Sequence, residues 1–285
     1  MKRQNLAACF YLFLILLPEH RAFAEETSPS PKAVRLFNGV DLSGWQHWLV
    51  DTRRADPRRV FTVTNGLLRI SGDGLGYLRT ERAYENYRLI VEFKWGKTNS
   101  AWGDRIGQAR DSGIFLHSIG PDGNSEDGQG AFRAAIECNL FEGATGDLLL
   151  IRGRGAEGKL LAPHFTAAVA DESDPDGWFY WKAVGRSKYF ERWGRLNWFD
   201  KDRRWKDQFG FRGVRDVEKN AGEWNRVECI CIGDRIEIVV NGTTVNAARE
   251  VWPREGNILL QCEGSEIFFR RVELQILEGF PRKPQ

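Results

Sequence analysis

The run Ile136-Glu137-Cys138-Asn139-Leu140-Phe141-Glu142 sets two carboxylates and a carboxamide among apolar neighbours. Strand side chains alternate between faces, so Glu137 and Asn139 share one side and Cys138 and Leu140 the other. Glu142 reaches Glu137's side only across a bulge. Apolar flanks at 132–136 and 148–151 predict a central strand, not a solvent edge. A carboxyl group on a concave, partly dehydrated face has a raised pKa and can serve as acid or base. Gln261-Cys262-Glu263-Gly264 repeats the pattern, with Gln261 and Glu263 on one face and Cys262 opposite. His117 closes the apolar run 113–116 and is expected on the face of Phe115. Imidazole is a natural general base, although a lone strand histidine is more often structural. His47 and His164 are weaker candidates.

The elements that must position these groups are strands. Residues 60–64 and 67–70 flank Asn65-Gly66, a hairpin turn signal. Residues 87–95 alternate, 113–118 and 134–141 are short apolar runs, and 224–240 reads as a meander with a turn at Gly233-Asp234. Residues 257–261 and 266–277 close the pattern, and helical periodicity is scarce. Many strands joined by short turns predict an all-β sandwich or barrel. One stretch departs from this: 163–221 is long, polar and rich in Trp, Phe and Tyr. So many aromatics argue against disorder, so it is expected as an ordered aromatic insertion that walls one face. Its Trp193 and Trp198 are candidate stacking platforms for a sugar ring.

The ends bound the compartment. Lys2 and Arg3, an apolar run over 6–17 and Ala22-Phe23-Ala24 predict a cleaved secretory signal over 1–24. A flexible Ser/Pro-rich spacer over 25–32, a domain over 33–277 and a tail over 278–285 follow. Without the signal, 38 basic and 38 acidic residues remain, so neither nucleic acid nor an anionic membrane is an expected partner. Cys138, Cys229, Cys231 and Cys262 lack zinc-ligand spacing and read as buried small apolar residues, although export permits disulfides.

Five blocks, in order, resemble the 3-keto-disaccharide hydrolase domain family. Leu36-Phe37-Asn38-Gly39-Val40-Asp41-Leu42-Ser43-Gly44-Trp45 is similar to its opening, and Asp111-Ser112-Gly113-Ile114-Phe115-Leu116-His117 to an inner strand. Ala135 to Leu140 with Gly146-Asp147, then Gly222-Glu223-Trp224-Asn225, and finally Leu260 to Arg270 complete the set. The resemblance implies a concanavalin A-like jelly roll, two antiparallel sheets with a groove, in an exported protein acting on sugars often oxidised at position 3. Asn139 stands where Gln is common, Asp111 where Asn is common, and the aromatic stretch is longer than the resemblance leads one to expect.

Three chemistries follow. A ketone at C3 acidifies the C2 proton, so a base and an acid together release the C1 substituent; Glu137 or His117 is the expected base and Glu263 the acid. Asn139, Gln261 and Glu142, with Trp193 and Trp198, are the expected substrate contacts. No cofactor is demanded, but a divalent cation on such carboxylates would stabilise an enolate. Alternatively, Glu137-x-Asn139-x-x-Glu142 has the spacing of the laminarinase-like E-x-D-x-x-E motif, in which carboxyls about 5 to 5.5 Å apart perform retaining hydrolysis. The third possibility is a glycan-binding module without catalysis. Oligomeric state is left open.

Overall fold

The computed structural model describes residues 33–127 and 129–278. The expected signal and spacer, and all of the tail but Glu278, lie outside the described residues. The strands in chain order are β1 (Ala33–Arg35), β2 (Trp45–Leu49), β3 (Phe61–Thr64), β4 (Leu67–Ile70), β5 (Leu75–Thr80), β6 (Tyr87–Asn99) and β7 (Asp111–Ile119). Next come β8 (Ala134–Phe141), β9 (Leu148–Ile151), β10 (Gly153–Arg154), β11 (Leu160–Leu161), β12 (His164–Ser173), β13 (Phe179–Trp181) and β14 (Arg186–Phe190). The last six are β15 (Arg195–Asn197), β16 (Asn225–Ile232), β17 (Arg235–Val240), β18 (Thr243–Trp252), β19 (Asn257–Glu263) and β20 (Ser265–Ile276).

These strands make an all-β jelly roll of two layers. The back layer runs β3-β4-β20-β6-β16-β17-β18, with β1 also on β20. The front layer runs β2-β5-β19-β7-β8-β9-β15-β13 and continues to β12 and β14. Strand β18 also pairs with β12, so the layers are joined at one side. Between them lies one apolar core. Leu89, Val91, Phe93 and Trp95 from β6 meet Ile114, Leu116, Ile136, Cys138, Leu140 and Leu260 from the front layer. The Asn65-Gly66 turn forms as expected, both residues at positive φ (52° and 74°) between Thr64 and its partner Leu67. All four described cysteines are buried free thiols in this core.

The stretch expected as an insertion turns out to be two things. Its first part, through Asn197, supplies β12 to β15, and Phe165, Ala167, Val169 and Leu196 enter the sandwich core. Only the part after β15 and before β16 is irregular chain, and it bonds to groups of both layers, among them Glu142 after β8 and Trp95 of β6.

Candidate functional site

Strand β7 runs between β8 and β19, with Phe115 opposite Glu137 on one side and Leu259 on the other. Alternation puts Ile114, Cys138, Leu260 and Cys262 into the core and turns Asp111, Glu137, Asn139, Gln261 and Glu263 to the front face. Gly113, opposite Asn139, sits at the centre of the group. A Cβ there would overlap Glu137 Oε1 and lie 2.9 Å from Gln261 Oε1. The missing side chain is therefore the space that those two groups occupy. Gln261 Nε2 donates to Glu263 Oε2 at 2.6 Å. Beside this polar cluster, Leu75, Tyr77, Phe115, Ala135, Ile151 and Leu259 make an apolar floor.

Two guanidiniums answer the carboxyls, and neither comes from the central strands. Arg105, in the loop after β6, donates to Asp111 Oδ2 at 2.9 Å and to Asp207 Oδ1 at 2.6 Å. Arg195, at the start of β15, donates through Nε to Asp147 Oδ2 at 3.0 Å. Both guanidiniums lie near the Phe141 ring, at 5.4 and 5.5 Å from its centroid. Asp147 is fully buried and also accepts from Lys201 Nζ and the Trp198 N–H, both at 2.8 Å. The irregular chain is therefore tied to the β8–β9 turn at the same carboxylate that holds Arg195.

The electrostatics set this face apart. Burial, then the nearby Asp111 charge, pushes Glu137 well above the usual carboxyl range, against the pull of Arg195. Burial and Glu263 raise Asp111, opposed by Arg105. Burial and Glu137 raise Glu263 to about 8. Two buried carboxyls and the half-buried Glu263, coupled to one another, do not all ionise near neutral pH, so the cluster retains protons that can be passed on. Asn139 Oδ1 and Gln261 Oε1 are buried without a hydrogen-bond partner. Unmet polar atoms on a buried face are what a polar ligand would satisfy.

Not every expected residue joins this cluster. His117 has φ +52° at an irregularity in the β7–β8 pairing, and the change of direction turns its ring away from Phe115's face. It packs edge-on to core Tyr87, with ring centroids 5.6 Å apart, and Nδ1 is 2.9 Å from the Pro253 carbonyl oxygen. Burial lowers its pKa to about 4. Glu142 follows the end of β8, pairs with Arg110 at 2.5 Å and accepts the Gly210 N–H at 3.0 Å, which clamps the irregular chain and leaves it no substrate contact. Trp198 is buried in the sandwich core and offers no open ring face. Trp193 is half-buried and packs on the apolar floor, so it borders the front face. No three His, Cys, Asp or Glu side chains among the described residues are arranged to hold a metal ion. Asp111 and Asp207 are both paired with the Arg105 guanidinium, so those two carboxyls are already engaged and not free for the divalent cation that the sequence allowed. Asp111, Arg105, Arg195 and Asp207 were missed. Asp111 was legible as a residue on the Gly113 strand, whereas the other three reach the site by loop geometry that no local pattern reports.

The fold and site together define a jelly roll with a buried acid–base face. The profile of the 3-keto-alpha-glucoside-1,2-lyase-like domain matches residues 32–275, and the chain belongs to that family. No curated protein matches the sequence. Among solved structures, a protein of Parabacteroides distasonis ATCC 8503 provisionally assigned as a glycosyl hydrolase aligns at 15% identity over 86% of this chain and 94% of its own, TM-score 0.46. The Bacillus licheniformis beta-glucanase aligns at 13% over 86% and 98%, TM-score 0.43, and the κ-carrageenase of Pseudoalteromonas carrageenovora at 12% over 89% and 98%, TM-score 0.44. Function at such distance has to be argued from the site itself.

Proposed function

We propose that this protein cleaves a 3-keto-glycoside by elimination across C1 and C2, with Glu137 as base and Glu263 as acid. The observation that carries the reading is one polar face on which Glu137 and Gln261 meet over Gly113, Gln261 is bonded to Glu263, and Asp111 stands two residues along the same strand with Arg105. The ketone acidifies the C2 proton, and the Glu137 carboxylate takes it. The C2 electron pair forms the C1–C2 double bond as the C1–O bond breaks, and Glu263 gives its proton to the departing oxygen. Negative charge grows on the C3 oxygen, where the Arg195 guanidinium and the Asn139 carboxamide are the stabilising donors. A base with a raised pKa suits abstraction from a carbonyl-activated carbon, and an acid of about 8 is still protonated at neutral pH. The family's description names the same bond and the same oxidised sugar class.

The laminarinase-like alternative needs Glu142 beside Glu137, and Glu142 is engaged with Arg110 and Gly210. We place the protein outside the cytoplasm, on the N-terminal pattern alone, with a carbohydrate as its partner. The deciding experiment measures release of the C1 substituent from a 3-keto-α-glucoside and from its unoxidised parent. Release from the keto form alone, lost in Glu137→Gln, supports elimination. Release from the parent points to hydrolysis, and binding without release from either points to a glycan-binding module.

A further inference from the structure

The loop that carries Arg105 also builds a hollow beside the carboxyl cluster. Its volume is about 320 Å³, and Leu75, Ala101, Trp102, Gly103, Asp104 and Gln129 line it. Gly103 is the partition. A Cβ on it would meet Glu263 Cγ and Arg105 Cγ at 3.6 Å and Leu75 Cδ2 at 3.4 Å, so only Gly103 stands between the hollow and the Glu263 side chain. Its φ of +64° is one that few other residues adopt.

Trp102 is half-buried and firmly held. Its indole N–H donates to Asp73 at 3.0 Å, its backbone N–H to Ser100 Oγ at 3.2 Å, and the Arg58 guanidinium lies 5.2 Å from its ring centroid. The loop beneath is pinned as well: Ser100 donates to the Gly72 and Gly264 carbonyls, and Asn99 Nδ2 donates to the Arg105 and Gln108 carbonyls. A ring already fixed in place loses little freedom when another ring settles on it. The size is near the lower limit of small-molecule sites, enough for one six-membered ring.

We infer that this hollow receives the ring of the leaving group, and that Trp102 and Asp104 select neutral rings over anionic ones. The inference rests on the elimination reading, because it is the departing oxygen at Glu263 that puts the attached group on the Gly103 side. The charge argument is independent of that step: Asp104 stands at the hollow and Asp127 lies near Glu263, so an anionic substituent meets like charge. A second hexose and a phenol share the required chemistry, a neutral ring with an apolar face.

The test is steady-state release from four 3-keto-α-glucosides, with methyl, phenyl, glucosyl and 4-carboxyphenyl leaving groups, by the wild type, Trp102→Ala, Trp102→Phe and Asp104→Asn. Trp102→Ala should lower the preference in 1/KM for a ring over methyl by roughly three- to tenfold, with Trp102→Phe restoring most of it. A loss confined to glucosyl or to phenyl says which ring the hollow prefers, and either supports the inference. Asp104 is exposed, so Asp104→Asn tests the charge argument without a folding risk, and it should raise relative turnover of the carboxyphenyl substrate. An active wild type whose leaving-group preferences are the same in all three variants overturns this inference alone. A wild type inactive on all four substrates overturns the elimination reading and this inference with it.

Discussion

Replacing Gly113 with alanine is expected to disable the site while leaving the protein folded. The new methyl overlaps Glu137 Oε1 and comes within 2.9 Å of Glu137 Cδ and Gln261 Oε1. Gln261 is held by its bond to Glu263 and yields little, so Glu137 must be displaced. The displacement needed to reach ordinary contact is about 1 Å, and errors of that size in a reacting group cost on the order of 100-fold in rate. Overpacking adds about 1–3 kcal/mol of destabilisation, less than the usual total stability of a domain. The assay is kcat for release from a methyl 3-keto-α-glucoside, with thermal unfolding measured alongside. A folded Gly113→Ala protein with kcat within threefold of wild type would refute the assignment of Glu137 as base, because the only space its carboxyl occupies would have been filled.

Other expectations follow from the same geometry. Glu263→Gln should lower kcat by about 100-fold or more and abolish the fall in activity as pH rises through about 8, a limb that the wild-type pH–rate profile should show. Buried neutral His117 binds its proton only near pH 4, whereas in the unfolded chain it does so near 6.5, so the unfolded state gains protons as pH falls between those values. Stability should drop by roughly 3 kcal/mol across that window, and urea titrations at pH 7 and 4.5 should show a smaller drop in His117→Phe, with kcat at pH 7 close to wild type. Trp198→Ala should cost about 3–5 kcal/mol of unfolding free energy, as a core truncation does, which separates it from a sugar-stacking residue whose loss would raise KM in a stable protein.

The fold was legible because its signals are local. Turn residues at Asn65-Gly66 and alternation along 87–95 and 134–141 follow from backbone geometry alone, and alternation also put Glu137 with Asn139 and Gln261 with Glu263. His117 was misread because alternation holds only while the strand stays regular, and one residue at positive φ reverses every assignment beyond it. Trp198 was misread because the stretch around it was taken for an appendage, when its first half is sheet. The guanidiniums were invisible for a different reason. Arg105 and Arg195 are separated from Glu137 by 32 and 58 positions, and only the closed sandwich brings them together.

The hub at Asp147 has a consequence for exchanging parts between relatives. One carboxylate between β8 and β9 holds Arg195, Lys201 and the Trp198 backbone, so the irregular chain is not a cassette with its own footing. A chimaera that swaps 198–224 alone would keep the Arg195–Asp147 pair but leave that buried carboxylate short of its lysine. The smallest transplantable unit is discontinuous: the Asp147 turn, β15 and the chain beyond it have to travel together.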